Sequence, residues 1–121
     1  MMIRVKLMKS PIKTKKFRVM FEDGRTVDFG GKGYSDFTLH REPRRMRFYV
    51  RRHGGKIPKD LMNETNSEKI YKNMKKVTVS DKEDWSDPFT AGFWSRWLLW
   101  SEPSMAGAKK FIEKTFSIKV S

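Results

Sequence analysis

The chain has 121 residues, 37% of them hydrophobic and 34% charged, and its 27 Lys and Arg against 14 Asp and Glu give a net charge of +13. That length fits a single domain over 1–121, and the charge points to an anionic partner such as nucleic acid, a lipid surface or acidic protein faces. No cysteine is present and histidine occurs twice. Disulfides, Cys-ligated zinc, iron–sulfur clusters, thiol nucleophiles and His-rich metal sites are thereby excluded.

The N-terminus is basic but lacks an apolar run and a small-residue cleavage site, so no export signal is expected. The longest apolar stretch, Phe93–Trp100, is interrupted by Ser95 and Arg96, and it falls far short of the ~20 residues a membrane span requires. The expectation is a protein of a reducing compartment, neither secreted nor membrane-spanning.

The charge is concentrated. Residues 1–20 carry seven basic side chains and no acid, and residues 41–59 carry eight against Glu42 alone. Residues 60–121 are nearly balanced, with ten basic and nine acidic side chains. If the two basic segments meet in space, they form one positive face.

In chain order, Met2–Met8 alternates loosely, with Ile3, Val5 and Leu7 opposite Arg4 and Lys6. Residues 1–16 therefore read as a basic N-terminal arm or an edge strand, interrupted at Ser10-Pro11 because proline lacks a ladder donor. A hairpin is expected at about 16–30. Phe17, Val19 and Phe21 alternate with Arg18 and Met20, Glu22-Asp23-Gly24-Arg25 supplies the turn, and Thr26–Phe29 returns. Gly30-Gly31-Lys32-Gly33 and Tyr34-Ser35-Asp36 follow.

Pro43 then suits the first turn of a helix. Over Arg44–His53, the spacing puts Met46, Tyr49, Val50 and His53 on one face, with Gly54-Gly55 as the stop. Residues 56–84 are polar and weakly patterned, and read as a peripheral insertion. A short helix over Ser67–Val77 would place Ile70, Met74 and Val77 opposite its lysines.

All four tryptophans lie between Trp85 and Trp100. Asp87-Pro88 and Thr90 suit the start of a helix through Phe93, Trp94, Trp97, Leu98 and Trp100. Ser101–Ser104 breaks it and opens a second helix, Met105–Phe116, lined by Met105, Ala108, Ile112 and Phe116, and Ser117–Val120 can add a short strand. The class that results is α+β, a small antiparallel sheet packed by two to four short helices.

Four features bear on function. Gly30–Gly33 lacks the Walker spacing and reads as a structural turn, and Asp28-Phe29-Gly30 stands without any other kinase element. Arg41, Arg44, Arg45, Arg47, Arg51 and Arg52 form a cluster suited to bidentate phosphate or carboxylate pairing. With Lys13, Lys15 and Lys16 as a flanking arm, they are the candidate binding residues for an anion, a nucleic acid or a protein partner. Five or six neutralised phosphates would give a slope of roughly −5 in log K against log salt on duplex DNA. Phe93, Trp94, Trp97 and Trp100 are candidate core and interface aromatics. The i, i+3, i+6 spacing of the three tryptophans spreads them around the helix and predicts at least one ring at the surface. His40 and His53 show no metal-ligand or catalytic spacing, so no catalytic residue, metal or cofactor is expected.

Two stretches carry a wider likeness: DFGGKGYSDFTLHREPRRMRFYVRRHGG (Asp28–Gly55) and TAGFWSRWLLWSEPS (Thr90–Ser104). In them the chain resembles an uncharacterised family of small basic proteins encoded by large double-stranded DNA viruses of algae and amoebae. That resemblance implies a viral product in the virion, and in the host cytoplasm or nucleus during infection, but no activity or catalytic residue. The expected role is a non-enzymatic minor capsid or cement protein that contacts capsid subunits, with peripheral contact to an anionic membrane as a further option. The alternative is a genome-associated protein that binds nucleic acid through its basic residues.

Overall fold

Alternating side chains form strands β1 (Ile3–Lys9), β2 (Lys15–Phe21) and β3 (Thr26–Gly31), and a fourth strand, β4 (Ile118–Val120), completes a sheet in the order β3-β2-β1-β4. In this computed structural model, which describes residues 2–121, the helices are α1 (Phe37–His40), α2 (Pro43–Arg52), α3 (Lys59–Met62), α4 (Ser67–Met74), α5 (Ala91–Trp94) and α6 (Met105–Phe116). A π-helical turn, Ser95–Leu99, continues α5 directly. The α+β class, the hairpin and the bounds of α6 agree with the sequence reading.

The sheet is mixed rather than purely antiparallel. β1 pairs antiparallel with β2 and β2 with β3, whereas β4 runs parallel to β1 with Val5 opposite Val120. Because β4 takes its outer side, β1 is an inner strand and not an edge or a free arm. The N-terminal basic residues Arg4 and Lys6 stand exposed beside the buried Val5. Period-two alternation places them on the solvent face of the sheet.

The opposite face carries Val5, Val19, Phe21, Val27 and Phe29, all buried. Trp94 lies against it, its ring centroid 6.2 Å from Phe29 and 6.5 Å from Phe21. On the far side of the tryptophan segment, Trp97 meets Phe111 and Phe116 of α6 at 5.5 and 5.4 Å. The segment thus runs through the middle of the molecule, covered on more than one side. A helix covered on several sides is largely apolar, and the one charged side chain of this segment, Arg96, is buried as well.

This corrects the expected surface ring. Trp94 and Trp97 are fully buried, Trp85 is 2% exposed and Trp100 9%. Residues 96–101 are buried without interruption. The π turn closes i→i+5 bonds and so changes the angular spacing on which the i, i+3, i+6 argument rests. Its open carbonyls are capped from within, since Ser101 Oγ donates to the Trp97 carbonyl and Arg96 donates to that of Trp100.

Residues 56–84 are likewise not peripheral. The ends of the excursion are tied together by a Gly55–Ser80 bridge and by Ser80 Oγ donating to the His53 carbonyl. Between them α4 sends Ile70 and Met74 into the core, followed by Val77. Arg96, fully buried, donates to the carbonyls of Met74 and Val77 and lies 4.3 Å from the centroid of the Trp97 ring. The low hydropathy of the segment reflects an outer face of lysines above three core side chains.

Candidate functional site

A cleft of about 580 Å³ opens where the β2–β3 end of the sheet, the Gly30–Asp36 loop, one side of α2 and the start of the tryptophan segment come together. Its floor is a chain of stacked rings. Trp100 lies 4.5 Å from Tyr49 with 8° between the planes, and His53 stacks on Tyr49 at 4.1 Å. Outside the cleft lining, His40 leans on Trp100 at 5.2 Å, tilted by 52°. The i, i+4 spacing of Tyr49 and His53 on α2 makes their contact a local consequence of the helix.

Lys15 and Lys16 from β2 and Arg45 and Arg52 from α2 line the walls, with Asp36 and Glu83 as the acidic lining residues. Both carboxylates are engaged. Asp36 caps α1 by accepting from the Thr38 backbone N–H, and pairs with Lys16 at 2.9 Å. Glu83 accepts from Trp85 Nε1 at 2.7 Å and faces His53 Nδ1 at 3.3 Å. Arg45 meets Glu42 at 3.3 Å, an exposed i, i+3 pair of the kind that contributes little in water. Lys15 and Arg52 form no ion pair with a carboxylate among the described residues.

Two groups in this region stand out electrostatically. Burial pushes the Tyr49 phenol well above its ordinary value, and its hydroxyl has no hydrogen-bond partner. Burial, and then the nearby Arg45 charge, push His40 below the usual histidine value, outweighing the opposite pull of Glu42 and Asp36. Nδ1 of His40 accepts from the Glu42 backbone N–H, which leaves the proton on Nε2.

Two rings at this cleft escape a reading based on charge alone. Tyr34 is 76% exposed and Phe48 55%, and both line the opening. Tyr34 is nevertheless held: its N–H donates to the Gly31 carbonyl, and a Cβ on Gly31 would come within 2.8 Å of its ring. A larger residue at position 31 would therefore displace the ring from its resting place. The signal for Phe48 was in the sequence, since Arg45, Phe48 and Arg52 recur at i, i+3, i+7 and share one stripe of a helix.

The nine candidate cations separate. Lys15, Lys16, Arg45 and Arg52 meet at the cleft, although α2 lies about thirty residues beyond β2. Lys13 is exposed in the β1–β2 turn, and Arg51 is exposed outside the cleft. Arg41 ends α1 in the left-handed region, φ 57°, beside a separate shallow depression. Arg44 reaches the Thr65 carbonyl at 3.3 Å. Arg47 donates to the carbonyls of Leu61 and Glu64, so its guanidinium fastens α3 and the residues after it to α2 rather than facing a partner. Arg18, on the sheet, is neutralised through a two-pronged bond to Asp28.

Among the described residues, no three His, Asp or Glu side chains gather as a metal-binding group, and no helix is long and apolar enough to cross a membrane. No curated protein and no solved structure matches the chain. Residues 5–53, the stretch that runs from β1 through α2 and supplies all four cleft cations and both exposed rings, match a family described as a family of unknown function (DUF5754).

Proposed function

We propose that this protein binds nucleic acid without chemical conversion, through the cleft formed by Lys15, Lys16, Arg45 and Arg52. The observation that carries the reading is the convergence of these cations, distant in sequence, on one concave site. Phosphates are the anions such a site recognises by charge, and Arg45 and Arg52 offer the forked donor geometry that favours them. The engaged state of Asp36 and Glu83 supports binding over bond-making, since both carboxylates already accept from donors of the fold.

A place in the particle of a large DNA virus, the context that the sequence resemblance implies, would make the packaged genome that nucleic acid. A cement role between capsid subunits loses its proposed anchors, because the tryptophans are occupied in the core. Mass spectrometry of disrupted particles distinguishes the two placements. Recovery with the genome fraction supports the first, and recovery at fixed stoichiometry with genome-free shells supports the second.

The binding itself is tested by fluorescence anisotropy with labelled oligonucleotides at about 50 and 200 mM salt. Lys16 is already paired with Asp36, so three phosphate contacts, from Lys15, Arg45 and Arg52, at about −0.7 each predict a slope near −2 for a single strand in log K against log salt. Arg45→Gln and Arg52→Gln should each flatten that slope by roughly 0.7. Absence of binding at the lower salt overturns the proposal.

A further inference from the structure

We infer that the cleft selects single-stranded over duplex nucleic acid, by stacking unpaired bases on Tyr34 and Phe48 while Arg45 and Arg52 hold the flanking phosphates. This inference rests on the nucleic-acid reading above and names the form of the ligand.

Three features point the same way. First, the two exposed rings lie on different walls, Tyr34 in the glycine-rich loop and Phe48 on α2, and both face one opening. A single exposed ring is ordinary, but two at the mouth of a cationic cleft form a platform for planar ligands. Second, Phe48 sits between two guanidiniums on the same helical stripe. Arg45 and Arg52 are separated by about 10 Å along the axis, so a base over the ring and phosphates to either side can be engaged together. Third, the site is concave, about 580 Å³, with an aromatic floor formed by Tyr49 and Trp100. Individual nucleotides enter such a site, whereas a duplex keeps its base faces stacked inside a convex cylinder.

The ring positions are prepared in advance. Tyr34 rests on Gly31, and Phe48 projects from a helix whose Met46, Tyr49 and Val50 are anchored in the core. The backbone that carries each ring is therefore fixed before a base arrives, and only the two side chains have to order.

The test uses the full chain with a labelled oligothymidylate of about 12 nucleotides, and with the same strand paired to its complement. The single strand is expected to bind at least about tenfold more tightly than the duplex. Tyr34→Ala and Phe48→Ala should each weaken single-strand binding by about tenfold and leave duplex binding unchanged. Tyr34→Trp should retain the affinity of the original ring. Both side chains are exposed, so circular dichroism should show these variants folded. Equal affinity for the two forms, or alanine variants that bind the single strand normally, overturns the inference and leaves the nucleic-acid reading standing. Failure to bind either form overturns that reading, and the inference with it.

Discussion

Tyr49 stacks on Trp100 almost in parallel, 8° between the planes, yet its hydroxyl is buried without a partner. The ring is held by its two faces, and its oxygen makes no hydrogen bond of ordinary geometry. An unsatisfied buried hydroxyl costs about 1–3 kcal/mol in desolvation, so Tyr49→Phe should leave stability unchanged or raise it by about 1 kcal/mol. Trp100→Ala, which empties the other side of the stack, should cost about 3–5 kcal/mol. Urea titrations of the two variants check both values, and a Tyr49→Phe protein destabilised by more than about 1 kcal/mol would show that the oxygen has a structural role.

Arg96 is an ionic group at the centre of the fold. Burial pushes its guanidinium down to about 9, which still leaves it charged at neutral pH. Its donors go to the carbonyls of Met74, Val77 and Trp100 rather than to a carboxylate, and Trp97 and Trp85 lie within cation–π range. Arg96→Ala should destabilise by about 3–5 kcal/mol, because the carbonyls at the end of α4 lose their donors as a cavity opens. Arg96→Lys should recover only part of that, since a single ammonium cannot reproduce the planar fork. Hydrogen exchange should show residues 67–77 opening first in both variants, and an unchanged exchange pattern would separate Arg96 from the anchoring of α4.

Local patterns made the hairpin, α2 and α6 legible from sequence. Phe17, Val19 and Phe21 alternate, Met46, Tyr49 and Val50 repeat at helical spacing, and Ser104 caps α6 by accepting from Gly107 N–H. Pairing over long distances was not legible. β4 has three residues, and nothing within them says that they lie parallel to a strand more than a hundred residues earlier. Nothing in the local pattern says that Arg96 is a core residue, because its burial depends on the carbonyls of Met74 and Val77, about twenty residues earlier in the chain. The arginine cluster was visible as composition, but which members face the cleft depends on neighbours outside α2. The carbonyls of Leu61 and Glu64 take Arg47 out of the set, while β2 adds Lys15 and Lys16 to it.

His40 makes stability depend on pH. Its folded value lies below that of an exposed histidine, mainly through burial, so the unfolded chain takes up the proton first. The contribution is complete above the unfolded value of about 6.5 and is lost as pH falls from there through the folded value. Protonation at Nδ1 would also replace the acceptor of the Glu42 N–H bond with a donor. The melting temperature should therefore fall between about pH 7 and 5, before the depressed carboxylates of Asp28 and Glu64 begin to titrate. His40→Gln should flatten the curve in that interval. Identical curves for the two proteins would assign the loss to other groups.

Ser117 ends α6 in the left-handed region, with φ 57° and ψ 42°. Its N–H donates to the Glu113 carbonyl, and its own carbonyl accepts from Ile3 N–H, so this residue couples the last helix to the first strand. A side chain in that conformation costs about 1–2 kcal/mol, whereas glycine occupies it without a steric penalty but with a larger loss of chain entropy. The net expectation for Ser117→Gly is a gain of about 0.5–1 kcal/mol. Ser117→Val should lose at least that much, because a β-branched side chain tolerates positive φ least. The urea midpoints of the three proteins should rank Gly above Ser above Val, with similar slopes. If valine matched serine, this backbone conformation would not be the one that joins α6 to β4 in solution.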